Sequence, residues 1–382
     1  MTKQTLDTGW QIVRLGDVVE KTEYKEKNIV SAGLTRFLKV EHLDPDSLKI
    51  KRWGIIGEEE LPPTFYKVFR RRQVLFPTRN PHLRRTAYAD FDGICGEKTL
   101  TLQQKGEQLV PEFLPFIFQS ETFIEHAVKC AIGSTNKHVR WPDLAAYEFA
   151  MPPVEEQKRI SNLLLAIDRN TDALHEMSVT TRALWRSISA QEFSKGTDPL
   201  EELLNNHFSI ISGQVNPTDD SYADLPLIAP NHIEGETGEI LKLESARKQG
   251  AISGKYLFDV GSVLYSKIRP NLVKATIAPC KGLCSADMYA LSPKASIRKE
   301  YLLEILLSDR FTQFAISGSM RTGIPKLNRV HLATYKARIP SLKEQDSYLE
   351  KALSTRQARN DILMRIEANK ELKKIVLQKM QG

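Results

Sequence analysis

Met151-Pro-Pro-Val-Glu-Glu-Gln157 closes a globular stretch and opens a long helical one, and it returns 188 residues later as Ile339-Pro-Ser-Leu-Lys-Glu-Gln345. Other landmarks recur at an offset of 189: Val74-Leu75-Phe76 with Val263-Leu264-Tyr265, Pro81 with Pro270, Gly93 with Gly282, Cys95 with Cys284 and Leu102 with Leu291. Phe37 and His42 are echoed by Leu227 and His232, and Glu112-Phe113-Leu114 by Glu300-Tyr301-Leu302. A period of about half the chain far exceeds the few tens of residues of a solenoid unit, so it marks a duplicated domain plus helix.

Each of the two prolines leads into a predicted long helix. From Glu155, apolar or small residues at Ile160, Leu164, Ile167, Thr171, Leu174, Ser178, Thr181, Trp185 and Ile188 alternate in steps of four and three, the seam of a coiled coil. Ser194-Lys-Gly-Thr-Asp-Pro199 ends it as a stop and linker. The second helix, from about Lys343, carries Leu349, Leu353, Leu363, Ile366 and Val376 on a more charged stripe. Each helix has one apolar stripe to hide and no other helix of comparable length beside it, so the two are expected to pair antiparallel. At about 1.5 Å per residue, roughly 38 residues make a rod of about 57 Å, long enough to separate two globules.

The expected fold is α+β, with residues 1–153 as a first mixed globule, 154–195 as a first spacer helix, 196–341 as a second globule and 342–382 as a second spacer helix. Short strands (Gln73–Phe76, Thr86–Tyr88, Thr99–Leu102) alternate with turns at Arg79–His82 and Asp90–Gly93. Helical spacing follows over Pro111–Phe118 and Thr122–Val128. The second globule repeats that order with strand Ser262–Tyr265, turn Arg269–Asn271, strand Met288–Leu291 and helix Glu300–Leu307. Two globules related by an approximate twofold axis have the geometry for reading two half-sites on a duplex.

Charge and cysteine usage narrow the class. Lys+Arg 54 against Asp+Glu 47 gives a net charge of +7, which favours polyanions without separating nucleic acid from an acidic protein. Met1-Thr-Lys-Gln-Thr-Leu-Asp7 lacks a signal-peptide core and no stretch reaches membrane-spanning length, so a cytoplasmic location with no membrane partner is expected. Four cysteines are too sparse for a disulfide framework. Cys280 and Cys284 have no second pair with which to hold zinc, and Cys284 aligns with Cys95, so both positions are read as small buried residues on a strand.

Two further runs mimic catalytic motifs. Pro142-Asp143 with Glu156-Gln-Lys158 has the outline of a magnesium-dependent nuclease site, but the second copy reads Glu344-Gln-Asp346 with no Lys and no matching Pro-Asp. Gly250-Ala-Ile-Ser-Gly-Lys-Tyr256 has three residues between its glycines where a phosphate loop needs four, and Tyr where it needs Ser or Thr. There is no dinucleotide fingerprint and no Asn-Pro-Pro-Phe-like tetrapeptide of an amino-methyltransferase. No catalytic residue, metal or cofactor is therefore expected.

The two globules, the (Ile/Met)-Pro-x-x-x-Glu-Gln start of each long helix, and Gly318-Ser-Met-Arg321 followed by Gly323-Ile-Pro-Lys-Leu-Asn328 together resemble the specificity subunit of a type I restriction-modification enzyme. The resemblance covers nearly the whole chain, and order, duplication and spacing make it specific. It implies that each globule is a target-recognition domain reading one half of a bipartite target in double-stranded DNA. It implies that the helices set the gap and hold two copies of a DNA adenine methyltransferase subunit, that motor-nuclease restriction subunits complete the complex, and that this subunit does no chemistry itself. The first copy departs from the pattern: Gly133-Ser-Thr-Asn-Lys-His138 with Arg140-Trp141 is three residues shorter and lacks the Ile-Pro-Lys-Leu-Asn run.

Affinity for DNA comes from Lys and Arg aimed at phosphates, and selectivity from side chains reaching base edges. The first globule offers Arg70, Arg71 and Arg72, then Arg79, Asn80, His82, Arg84 and Arg85; the second offers Lys267, Arg269, Asn271 and Lys274 at the equivalent turn. Lys137, His138 and Arg140 join them, with Arg321, Lys326, Asn328 and Arg329. Charge at the same place with different identities is what two readers of different half-sites require. By the resemblance, Glu156, Gln157, Glu344 and Gln345 are candidates for contacting the methyltransferase. A carboxylate in a first helical turn also caps free amides, which accounts for Glu more readily than for Gln.

Two other classes compete. A stand-alone sequence-specific DNA-binding regulator needs no exposed apolar seam beyond the helix pair and is stable without partners. A coiled-coil adaptor binds protein only and shows no sequence-selective DNA affinity; the basic turns argue against it.

Overall fold

Both long helices form, Val154–Phe193 over 40 residues and Leu342–Lys379 over 38. They belong to a computed structural model that describes residues 9–26, 32–193, 201–319 and 325–380. The chain divides into two units, Met1–Ala173 with Arg365–Gly382 and Leu174–Met364, so each long helix contributes one half to each unit.

Within the first unit, strands Val19–Thr22, Thr99–Gln104, Val74–Pro77 and Ala87–Tyr88 make an antiparallel sheet in that order. The second unit repeats it with Phe208–Ile210, Met288–Pro293, Val263–Ser266 and Ala275–Ile277. A second sheet orders Gly54–Ile55, Arg36–Leu38, Gly93–Gly96 and Phe65–Phe69. Its counterpart orders Glu244–Ser245, Pro226–Ile228, Gly282–Cys284 and Lys255–Phe258, and adds Gln214–Val215 at the edge. One pair in each of these sheets is parallel, Phe37 beside Ile94 and Leu227 beside Leu283. A two-stranded ribbon, Gln11–Arg14 with Glu148–Met151 and Glu201–Leu203 with Lys336–Arg338, ties the start of each globule to the strand that feeds its long helix.

The parallel pairing explains a repeated glycine. A Cβ on Gly93 would lie 2.8 Å from the Arg36 carbonyl oxygen and 2.6 Å from the Phe69 ring. On Gly282 it would lie 2.6 Å from the Pro226 carbonyl oxygen and 2.8 Å from the Phe258 ring. Each strand crosses between an aromatic ring and its neighbour's backbone at a distance only Gly permits. Cys95 and Cys284 follow on these strands, fully buried, and burial pushes each thiol up to about 12, so neither supplies a thiolate at neutral pH.

The helix seams are mostly as expected. Ile160, Leu164, Ile167, Leu174 and Trp185 are buried, and Ile160 and Leu164 join Phe76, Phe118, Phe123 and Tyr147 in the first core, together with Leu377 from the other helix and Met380 just past its end. In the second core Trp185 and Phe193 meet Tyr301, Tyr348 and Leu349. Fully burying each such side chain is worth about 1.5–3 kcal/mol, so these clusters fix the helix halves to their globules. One assignment fails. Leu353 is 42% exposed, because the stripe runs through Leu349, Ala352, Ile362 and Ile366, with Arg356, Arg359, Asn369 and Lys373 turned toward it.

Those inward polar residues follow a permuted rule. In the first unit Lys373 Nζ lies 2.7 Å from Asp168 and 5.9 Å from the Phe116 ring centroid. In the second, Glu304 accepts from Arg356 at 2.7 Å and from Trp185 Nε1 at 2.8 Å. At the 188-residue offset Phe116, Asp168 and Trp185 correspond to Glu304, Arg356 and Lys373. Each unit thus assembles one aromatic, one carboxylate and one cation from the same three positions, with the roles exchanged.

Candidate nucleic-acid interface

Gln157 and Gln345 are 0% exposed, which corrects their assignment as partner contacts. The Gln157 amide accepts from the Val110 N–H at 2.8 Å and donates to the Gln108 and Pro152 carbonyls, both at 2.9 Å. Gln345 accepts from the Arg298 N–H at 2.8 Å and donates to the Ser296 and Pro340 carbonyls at 3.0 and 2.9 Å. The amide has two donors and an acceptor, and here each finds a backbone group. Gln therefore clamps the strand-to-helix junction against the loop before the globule's own helix. Glu344 closes a capping box with Ser341, accepting its N–H at 3.0 Å and its hydroxyl at 2.7 Å, while Glu156 pairs with Arg159 at 2.6 Å.

With the helix starts fixed, the basic turns fall at equivalent places. Pro81–Leu83 and Pro270–Leu272 are single 3-10 turns flanked on both sides by left-handed residues: Asn80 at φ 52° and Arg84 at 53°, Arg269 at 49° and Val273 at 48°. Left-handed backbone is costly for a β-branched residue, so Val273 is strained in the way functional turns often are. Each turn is held by the loop after the domain's second helix. The Asn80 N–H donates to the Lys137 carbonyl and the Arg269 N–H to the Pro325 carbonyl, both at 2.8 Å. Arg79 bridges His138 and Ile268 bridges Lys326. The three-residue difference between the loops is thus absorbed before Lys137 and Pro325, and the register is common beyond it.

Exposed cations with no ion pair among the described residues collect there: Arg79 and Lys137 in the first copy, Arg269, Lys326 and Arg329 in the second. His82 and Asn271 are exposed at the matching turn position. Arg71 is exposed on the turn that joins strands Phe65–Phe69 and Val74–Pro77, where Arg70 pairs with Asp92 at 2.8 Å and Arg72 with Glu112 at 2.5 Å. Such surface pairs are worth little and exchange readily for a phosphate. Arg140 is similarly exposed and paired with Asp143 at 3.1 Å.

Several candidates are turned to structural work instead. Arg84 spends its guanidinium on Asp46 at 2.6 Å, Glu121 at 2.8 Å and the Gln119 carbonyl at 2.9 Å. Arg85 is half-buried and donates to the Val40 carbonyl, and Lys274 donates to the Pro230 carbonyl at 2.8 Å. Asn328 caps the helix Arg329–Leu332 by accepting from the His331 N–H at 2.8 Å. Arg321 lies outside the described residues. Arg84, Arg85 and Lys274 give no periodic signal in a sequence, because their acceptors lie 35 to 45 residues away along the chain.

Lys267 is a special case, only 8% exposed, with its ammonium 5.2 Å from the Tyr289 ring centroid and 5.9 Å from that of Tyr256. Burial, then the nearby Lys326, holds its pKa below the ordinary 10.5. Between that depressed value and 10.5 the unfolded lysine keeps a proton the folded one has lost, so stability rises with pH in this window. In urea melts between pH 8 and pH 10.5 the stability of the parent chain relative to Lys267→Met is expected to rise with pH, because the variant lacks this contribution. An unchanged slope in the variant would mean the ammonium is well solvated.

Comparisons with known proteins bear on this geometry. Residues 7–180 match the family described as the type I restriction modification DNA specificity domain. The type I restriction enzyme EcoDI specificity subunit of Escherichia coli is 29% identical over 272 residues, 61% of this chain and 60% of that protein. The match thus spans about three fifths of the curated relative's length. Two solved structures share the fold. One is a chain from work on complex assembly and conformational transition of the type I R-M system, with TM-score 0.62 and 22% identity, covering 99% of this chain and 98% of that one. The other is the type I restriction-modification system S subunit from M. genitalium, with TM-score 0.63 and 14% identity, covering 100% of this chain and 98% of that one.

Proposed function

We propose that this chain, whose residues 7–180 match the type I restriction modification DNA specificity domain, is the non-catalytic sequence-recognition subunit of a restriction-modification complex. Each globule reads one half of a bipartite target in double-stranded DNA, and partner subunits methylate adenine and cleave. The observation that carries this reading is the pair of strained basic turns at equivalent backbone positions with different side chains, Asn80-Pro-His82 against Arg269-Pro-Asn271. A common scaffold with divergent tips serves two different half-sites.

The helices support the partner assignment. Leu163, Met177, Leu184, Met364 and Ile375 are exposed apolar residues on them, from 42% to 63% exposed, in excess of what a solvated helix pair requires. Two methyltransferase subunits, one on each helix region, and motor-nuclease subunits complete the proposed complex. No helix among the described residues is long and apolar enough to cross a membrane.

The deciding experiment is a genome-wide map of methylated adenine in cells carrying this chain with its neighbouring methyltransferase, against cells lacking only this chain. A bipartite motif is expected to vanish with the chain, and exchange of residues 10–150 for another family member's first globule to change one half of it. An unchanged map, or a change in both halves, overturns the reading. At the residue level, Arg79→Ala and Arg269→Ala are each expected to weaken binding of the complex to its target and to lower the slope of log affinity against log salt by about 1, the signature of one lost phosphate contact. Equal slopes would place these side chains away from the backbone.

A further inference from the structure

Lys267 follows the end of strand Val263–Ser266, two residues before the left-handed Arg269 that opens the second globule's basic turn. Its backbone is fixed on both sides, the N–H donating to the Asp287 carbonyl at 3.0 Å and the carbonyl accepting from the Leu327 N–H at 2.8 Å. The residue is only 8% exposed, yet its ammonium has no hydrogen-bond or ion-pair partner among the described residues, only the faces of Tyr289 and Tyr256. Lysines buried to this degree are paired as a rule. The nitrogen itself still opens to solvent, unlike the sealed Nε atoms of Arg182 and Arg359.

The first globule closes the same place. At the 189-residue offset Lys267 and Tyr256 fall on Thr78 and Lys67. The Thr78 hydroxyl donates to the Lys98 carbonyl at 2.9 Å, and the Lys67 ammonium to the Glu97 and Thr99 carbonyls at 3.1 and 2.9 Å. Both groups serve the globule's own backbone. The shared fold can thus satisfy a buried lysine internally, whereas the second globule leaves one open beside the exposed Lys326 and Arg329, with Asp287 the one carboxylate acting on it.

We propose that Lys267 is a phosphate-binding residue of the second globule, seating one backbone phosphate of the second half-site together with Lys326 and Arg329, and that the first globule has no equivalent contact at Thr78. This rests on the reading that the globules bind DNA. Base edges lie on the floor of a groove and are reached by side chains that project into it. A recessed ammonium is met instead by what projects from the duplex, a backbone oxygen. That oxygen is the charged acceptor the lysine lacks, and a charge-assisted hydrogen bond is the strong kind.

The test measures binding of the full chain, in complex with its neighbouring methyltransferase, to a duplex carrying its methylated motif. Each phosphate of the second half-site is replaced in turn by an uncharged methylphosphonate. One replacement is expected to weaken the parent complex about tenfold and to add nothing in Lys267→Met, which itself binds intact duplex about tenfold more weakly than the parent. A variant that is merely distorted would keep the parent's response at every phosphate. That outcome, or a Lys267→Met complex that methylates an altered motif and so marks a base contact, overturns the proposal and leaves the two-globule reading standing. A parent complex with no selective affinity for the duplex overturns that reading, and the proposal with it.

Discussion

Gln157→Glu and Gln345→Glu are each expected to destabilise their unit by about 3–6 kcal/mol, although each changes a single atom's identity. The arithmetic follows from the junction. Each Gln side chain is 0% exposed and donates to two backbone carbonyls that have no water to turn to. A carboxylate offers those carbonyls no donor and sets its own charge against them, and each unsatisfied buried group costs about 1–3 kcal/mol before the buried charge is counted. Burial raises the new carboxyl's pKa, so the sign with pH is fixed. The protonated form regains one donor, stability is greatest below the unfolded value near 4.3, and it is lost as pH rises through the raised folded value. Urea melts of the full chain at pH 5 and pH 7.5 measure it; a deficit below about 1 kcal/mol at pH 7.5 would show that the junction admits water.

Gln was visible in both copies of the helix start, and its recurrence signalled importance. Its role was not visible, since a terminal turn with Glu and Gln resembles a solvated helix start, and only the loops Gln108–Val110 and Ser296–Arg298 turn it into a clamp. The seam of the first helix was legible because apolar residues at steps of three and four need no tertiary context. The second helix misleads at Leu353 because its inward face carries Arg356, Asn369 and Lys373, whose partners come from elsewhere in the chain. The DNA candidates of the two copies cluster at two turns that share one backbone conformation, yet Arg84 and Arg79 look alike in a sequence. One has three internal acceptors and the other is exposed.

Glu304→Leu is expected to cost the second unit about 3–5 kcal/mol, the range for stripping one partner from a buried ion pair. The substitution leaves the Arg356 guanidinium, the Trp185 indole N–H and the Tyr348 hydroxyl facing an apolar side chain, where the carboxylate had accepted from them at 2.7, 2.8 and 3.3 Å. Removing both charges together is a different experiment. A buried pair contributes little net stability over a well-packed apolar replacement, so Glu304→Leu with Arg356→Leu is expected to recover at least half of the loss. The first unit supplies the internal control. There the equivalent of Glu304 is Phe116, and the charge pair has moved to Asp168 and Lys373, with side chains 30% and 15% exposed. Asp168→Leu strands one donor, the Lys373 ammonium, where Glu304→Leu strands three, so its cost is expected to stay at about 1–2 kcal/mol, that of a single charged hydrogen bond. Chemical denaturation of the three variants tests the ordering directly. Equal losses from Glu304→Leu and Asp168→Leu would mean that the number of stranded donors does not set the energetics of the permuted trio. A double variant no better than the single would mean that Trp185 and Tyr348, rather than Arg356, carry the loss.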